Sequence, residues 1–352
     1  MGNCLGTTKK SAAEIAPSEL MKPAPVIKLY GHPDSFATSH VRLALSYKPV
    51  TLQFVPSDAQ ENPTIMYRNG VVTGSVEEIL RYLDAKFPDP PVASAGSVWG
   101  WCGEKTPAVV WVVMLQHRSM VWHLERMEKW AEDMEARGGN ARGDPSMGSP
   151  RMEVKKFAKS YSQLQQVLLE HAQMEEKVVF QILESADRGE IHCFVMVDLE
   201  MIYMSVILMV PTYGLGLCKS ANEDHARDLP IMNGIKEEIK IIGVMNAGSP
   251  DYQEALGRLL SRLKKLKENC KQHFEEEERE LLPLMEATDL NKVQHEKVLQ
   301  QSLDAMRETH SHLFRFFMEG LCPQDGMHYF GLIKRYRDNV RASLMLHMMV
   351  EQ

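Results

Sequence analysis

The chain has no CxxC pair. Its six cysteines, Cys4, Cys102, Cys193, Cys218, Cys270 and Cys322, are scattered over 352 residues. That excludes a disulfide framework and a cysteine-based zinc site, and it fits a reducing compartment. Excess positive charge is missing too: the net charge is −7, which argues against a nucleic-acid binder. No clean apolar run of about 20 residues, the length a membrane span needs, is present. The most apolar passage, 191–216, is interrupted by Asp198, Glu200 and Pro211. It reads as an insertion, or a translated intron, in a helix–helix connection. The N-terminus lacks the apolar core of a secretory signal.

What the N-terminus does have is Met1-Gly2-Asn3-Cys4-Leu5-Gly6-Thr7, followed by Lys9 and Lys10. Gly2 behind a removable Met is a myristoylation start, although Gly6 holds the usual Ser/Thr place and Thr7 comes one residue late. Cys4 supplies a palmitoylation site, the second anchor that stable membrane attachment requires. The expectation is a polar tether over 1–24 on a cytoplasmic protein, held peripherally at the inner face of a membrane.

Residues 25–90 alternate strand and helix signals. Val26–Tyr30 reads as a buried strand, Ser35–Lys48 as a helix, Thr51–Val55 as a second strand. After Pro63, two strands flank Asn69-Gly70, a strong hairpin signal. Ser75, with Glu78 three places on, forms a capping box for a helix over Val76–Phe87. The order βαβ…ββα implies a small α/β sheet domain. Beyond 105 the periodicity is helical: about 107–136, 152–186, 222–246, 250–286, 291–319 and 326–346, with a Gly-rich loop at 137–150. The whole is therefore α+β in two domains, 25–90 and 105–346.

An internal repeat carries the chemistry. His171-Ala-Gln-Met-Glu175-Glu176-Lys177 and His273-Phe-Glu-Glu-Glu277-Glu278-Arg279 share a His, Glu-Glu at +4 and +5, a base at +6, and apolar residues at +8, +9, +11 and +12. Positions i and i+4 share a helix face, so each segment points an imidazole and a carboxylate the same way. A lone His precedes each on the helix before: His117, 54 residues ahead of His171, and His225, 48 ahead of His273. Four helices thus supply His117, His171, Glu175, His225, His273 and Glu277, the way bundle cores hold paired metals. Two octahedral first-row metals offer roughly 12 positions; four imidazoles and two bridging carboxylates fill about 8, and a single-atom bridge about 2 more. About 2 stay open for a small ligand. Glu176 and Glu278 read as solvated or ligand-orienting groups. His123, His310 and His312 read as surface or core polar groups.

Two resemblances follow from quoted residues. "QHRSMVWHLERMEKW", "EHAQMEEKVVFQILE", "EDHARDLPIMNGIKEEI" and "KQHFEEEERELLPLMEA" resemble the hemerythrin-like HHE cation-binding domain over about 105–290. That implies a four-helix bundle, here with extra C-terminal helices, and a non-haem di-iron centre responding to dioxygen or iron. Classical hemerythrins carry a fifth His one turn after the third-helix His; Leu229 stands there, which favours a sensor, store or weak oxidase-like site over reversible oxygen carriage. "LYGHPDSFATSHVRLAL" and "NPTIMYRNGVVTGSVEEILRYLDAKFP" resemble the thioredoxin-like N-terminal domain of glutathione transferases. In that likeness Pro63 is a cis-proline, Ser75 holds the glutamyl end of glutathione, and Ser35 lies near the catalytic serine. Gly74 replaces the usual acidic residue, and no redox cysteine lies in the 31–39 loop. The expected function is a non-enzymatic di-iron protein sensing iron, dioxygen or redox state; the alternative is a glutathione-dependent transferase or redox enzyme acting through Ser35.

Overall fold

The computed structural model describes residues 24–57, 62–93, 106–138, 148–187, 213–288 and 290–336. Gly2 and Cys4, and most of the 191–216 passage, lie outside them. Five elements form the α/β region: β1 (Val26–Gly31), α1 (Phe36–Ser46), β2 (Thr51–Pro56), β3 (Thr64–Tyr67), β4 (Gly70–Thr73), closed by α2 (Val76–Lys86). The sheet runs β2-β1-β3-β4, with β1 parallel to β2 and antiparallel to β3. β1 is central, so Ile27 and Leu29 are fully buried, and Val41, Leu45, Ile79 and Leu83 from the two helices join them.

The Ser75 capping box is as the sequence predicts. Ser75 accepts from the Glu78 amide while Glu78 accepts from the Ser75 amide. Ser35 caps α1, accepting from the Thr38 amide. Two expectations are corrected. The hairpin turn is Arg68-Asn69, with Tyr67 paired to Gly70, one residue earlier than the Asn-Gly signal places it; Arg68 takes the positive φ of 53° instead. The cis peptide bond among the described residues is Asp89–Pro90, not the bond before Pro63. An X–Pro bond prefers trans by about 0.5–1 kcal/mol, and the bond before Pro63, which leads directly into β3, keeps that preference. Buried Lys48 organises the other end, donating to Asp84 and to the carbonyls of Phe87 and Pro90.

Helices dominate the rest: α3 (Ala108–Arg137), α4 (Pro150–Met174), α5 (Phe180–Asp187), α6 (Tyr213–Val244), α7 (Pro250–Glu276), α8 (Leu282–Ala287), α9 (Lys292–Ala305), α10 (Phe314–Glu319) and α11 (Pro323–Tyr336). Ser149 and Ser249 cap α4 and α7, each with Pro at the first helical position, where its missing N–H costs nothing. α3, α4, α6 and α7 pack as a ring of four, each touching two neighbours. Lys264, Lys267 and Lys271 of α7 face Glu132, Glu128 and Glu125 of α3 in an antiparallel ladder. Solvent screens surface pairs of this kind and leaves them little net effect, so the apolar stripe beneath, Val112, Leu115, Phe157, Leu164, Leu259 and Leu263 among others, holds the bundle. Two helices differ from expectation. α6 begins at Tyr213 and takes in the end of the passage read as an insertion. The expected helix over 291–319 breaks between Ala305 and Phe314. The last helix spans Pro323–Tyr336, and its expected extension to 346 lies outside the described residues. No helix among the described residues is long and apolar enough to cross a membrane.

The C-terminal helices tie the two regions together. Phe330 of α11 stacks on Phe36 of α1 at 4.6 Å, while Asp325 pairs with Arg118 of α3. Ser119 donates to the Phe317 carbonyl. His123 stacks on Phe316 and bonds its carbonyl; burial lowers its pKa to about 3, so it stays neutral. Buried Glu170 of α4 accepts from the Glu308 and Thr309 amides and the Thr309 hydroxyl, holding the turn before α10.

Candidate metal centre

All six sequence-derived ligand candidates meet at the centre of the four-helix ring. They form two overlapping groups, His117–His171–Glu175–Glu277 and His225–His273–Glu175–Glu277. The carboxylates link them. Glu175 Oε1 lies 3.2 Å from His171 Nε2, and its Oε2 lies 3.4 Å from His225 Nε2. Glu277 mirrors this, Oε1 3.4 Å from His273 Nε2 and Oε2 3.3 Å from His117 Nε2. Each carboxylate therefore offers one oxygen to each half.

Local structure explains why the repeat does this. Each ligand glutamate opens a π-helical turn, Glu175–Val179 after α4 and Glu277–Leu281 after α7. The Phe180 and Leu282 amides reach back five residues, to the Glu175 and Glu277 carbonyls. Such widened turns recur at functional sites. Here the wider turn leaves both members of each Glu-Glu pair facing neighbouring helices. Glu176 and Glu278, whose role the sequence left between solvation and ligand orientation, take the second: Glu176 accepts from His225 Nδ1 and Glu278 from His117 Nδ1, both at 3.0 Å. Each repeat thus orients the lone histidine of the other.

The remaining ring nitrogens are also engaged. His171 Nδ1 donates to Gln116 Oε1 at 2.9 Å, and Asp224 Oδ2 lies 3.3 Å from His273 Nδ1. All four Nδ1 atoms face acceptors, so they carry the protons and all four Nε2 lone pairs point inward. Those lone pairs face one another at 3.1 Å between His117 and His171, and 3.0 Å between His225 and His273. Three carboxylate oxygens in the cluster are buried without a hydrogen-bond partner, Glu175 Oε2 and both of Glu277. Leaving an ionised carboxylate so placed costs several kcal/mol.

A cation at each histidine pair would resolve these tensions, because two inward Nε2 lone pairs this close repel each other unless a positive charge sits between them and the carboxylates. The donor set, imidazole and carboxylate with no thiolate, suits iron or manganese. Without metal, protons do the same work. Burial and the Glu175 charge raise Glu277 to about 7. Burial pushes Glu175 upward as well, but His171, His117 and His225 outweigh it and hold it well below its usual range. Burial opposes the charging of His225, yet Glu175 and its neighbours lift it to about 9. For His117 the glutamates likewise outweigh burial, and its pKa is raised. Burial lowers His273 to about 3 and His171 below its ordinary value.

The other sequence candidates are elsewhere. Ser35 and Ser75 cap helices in the α/β region, and Pro63 precedes β3; none joins the cluster. Leu229, one turn past His225, is 42% exposed and adds nothing to the buried donor set. His312 is exposed beside Glu308. Two supporting groups escaped the sequence reading. Gln116 and Asp224 each stand one residue before a lone histidine, and this matched offset is the signal that could have found them. His310 is buried against Tyr329, a long-range contact that no local pattern announces.

Comparison with curated proteins and with solved structures gives no match. A family model does match: residues 108–205, which contain α3, α4, His117, His171 and Glu175, correspond to the Hemerythrin HHE cation binding domain, a cation-binding assignment that agrees with the cluster those helices build.

Proposed function

We propose that the bundle holds two iron ions and that the protein senses or binds iron or dioxygen through them. The observation carrying this reading is the pair of buried carboxylates, each with one oxygen toward either histidine pair. His117 and His171 would hold one ion, His225 and His273 the other, with Glu175 and Glu277 shared between them. A bound pair of this kind would supply Lewis acidity and one-electron redox chemistry. The chain's own residues orient the imidazoles and bury them, and His225, 12% exposed, is the least covered of the four, which suits a small ligand.

Two further elements of the reading sit outside the bundle. Gly2 and Cys4 would carry acyl chains holding the protein at the cytoplasmic face of a membrane. The α/β region would serve as a binding module. Its glutathione-dependent alternative gains no support from Ser35 and Ser75, since both hydroxyls serve helix caps.

The test is the metal content and absorption spectrum of the purified full chain beside a His171→Ala/His273→Ala variant. About two iron per chain, with ferric charge-transfer bands that vanish in the variant, is the expected result. Wild type and variant alike without metal after anaerobic reconstitution would sink the dinuclear reading. The intact mass of the same sample, isolated from a eukaryotic host, reads acylation directly.

A further inference from the structure

The two halves of the cluster are not equivalent. His273 is backed by the Asp224 carboxylate, whereas His171 is backed by the neutral amide of Gln116. Gln116 does not end there. Its Nε2 donates to the Tyr329 hydroxyl at 3.2 Å, Tyr329 bonds His310 Nε2 at 2.7 Å, and His310 Nδ1 donates to the Leu303 carbonyl at 2.8 Å. Every member is buried: Gln116 and Tyr329 are 0% exposed, His310 1%.

The polarity of this chain is fixed from its far end. A backbone carbonyl only accepts, so His310 Nδ1 carries the proton and its Nε2 accepts. The Tyr329 hydroxyl must then donate to His310, and its oxygen accepts from the Gln116 amide nitrogen. The amide oxygen is left toward His171, which donates from Nδ1 and turns the Nε2 lone pair into the cluster. The Leu303 carbonyl, at the end of α9, thus selects the tautomer of a metal-ligand histidine in α4. Next to His171, Glu170 grips the Glu308–Thr309 turn, so consecutive residues of α4 both report on the same C-terminal segment.

We propose that Gln116, Tyr329 and His310 form a positioning relay that couples occupancy of the His117/His171 half to docking of the C-terminal segment 306–336. The inference rests on the dinuclear reading. The carboxylate-backed His225/His273 half, which is also nearer solvent, fills first and more tightly, because an anionic partner makes its imidazole the stronger donor. The His117/His171 half fills second. Coupling is reciprocal: if docking favours the second ion, the second ion favours docking by the same factor. Graded metal supply then becomes a change in how firmly the C-terminal helices sit on α3, α4 and α1.

The experiment is an anaerobic ferrous titration of the full chain, read by calorimetry and by hydrogen exchange. In wild type, two affinities are expected, and amide protection over 306–336 rises only with the second equivalent. Tyr329→Phe removes the one hydroxyl and keeps the ring. It should weaken the second affinity about 10-fold or more, leave the first unchanged, and abolish the metal-dependent protection. Ser119→Ala, which removes a buried bond to the same C-terminal segment outside the relay, should leave the first affinity unchanged and keep the rise in protection with the second equivalent, because the relay itself is intact. Protection that rises with the first equivalent, or not at all, overturns the relay in wild type alone, whatever the variant's folding. Tyr329→Phe with wild-type affinities, or with both weakened equally, also overturns it. A wild-type chain that binds no iron would instead bring down the dinuclear reading beneath it.

Discussion

At the scale of the residue, metal and proton compete for the same atoms. His225, at about 9, His117, raised above its ordinary value, and Glu277, at about 7, all hold protons in the metal-free protein near pH 6. His273, lowered to about 3, is already neutral there and contributes nothing to the competition, and burial lowers His171 in the same direction. Raised values mean protons that must leave before a cation can bind, so affinity increases as pH rises from about 6 to 9, by about tenfold per unit for each proton displaced. Metal titrations with proton release followed in two buffers of different ionisation enthalpy check this. Affinity flat across that range would mean the cluster binds no cation through these groups. The six ligand candidates were legible because histidine and glutamate at i and i+4 recur twice with matching flanks. Their supporting acceptors were half legible. Glu176 and Glu278 stand inside the repeat, but only three-dimensional packing shows that each serves the histidine of the opposite half.

At the scale of the element, the sequence showed the helices and hid the π turns. The hint was a phase slip. In a continuous α-helix the stripe in line with His273 and Glu277 continues at +7 and +11, but those places hold Glu280 and Leu284, both exposed. Leu281, Leu282 and Met285, at +8, +9 and +12, are buried instead. The apolar stripe arrives one residue late, and the π turn absorbs the extra residue. Deleting exposed Arg279 should therefore let the helix run on as regular α with its stripe in phase at 100° per residue. Helix content by circular dichroism should hold, while ferrous affinity drops at least about tenfold because the bridging and orienting carboxylates lose their wider turn. Retained affinity would show the π turn to be incidental. The break between Ala305 and Phe314 was invisible for another reason: what stops the helix is Glu170, over a hundred residues away, taking the Glu308 and Thr309 amides.

At the scale of the whole molecule, the α/β region and the bundle were each legible from their periodicities, and their connection was not. The C-terminal helices were expected only as additions to the bundle. They touch α1 and α3 at once, through Phe330 on Phe36, Asp325 on Arg118 and Gly320 on Ser119. The last leaves no room for a side chain. A Cβ on Gly320 would lie 2.7 Å from the Ser119 carbonyl oxygen and 2.9 Å from its Cα. Those are backbone atoms of a long helix and cannot swing aside as a side chain would, so any larger residue must push the C-terminal segment off α3. Gly320→Ala should cost about 1–3 kcal/mol, the usual range for overpacking, seen as a lower unfolding midpoint of the full chain. Because the strain falls on the docking interface and not on the ring of four helices, a midpoint unchanged from wild type would mean that this segment is not held against α3 at Ser119.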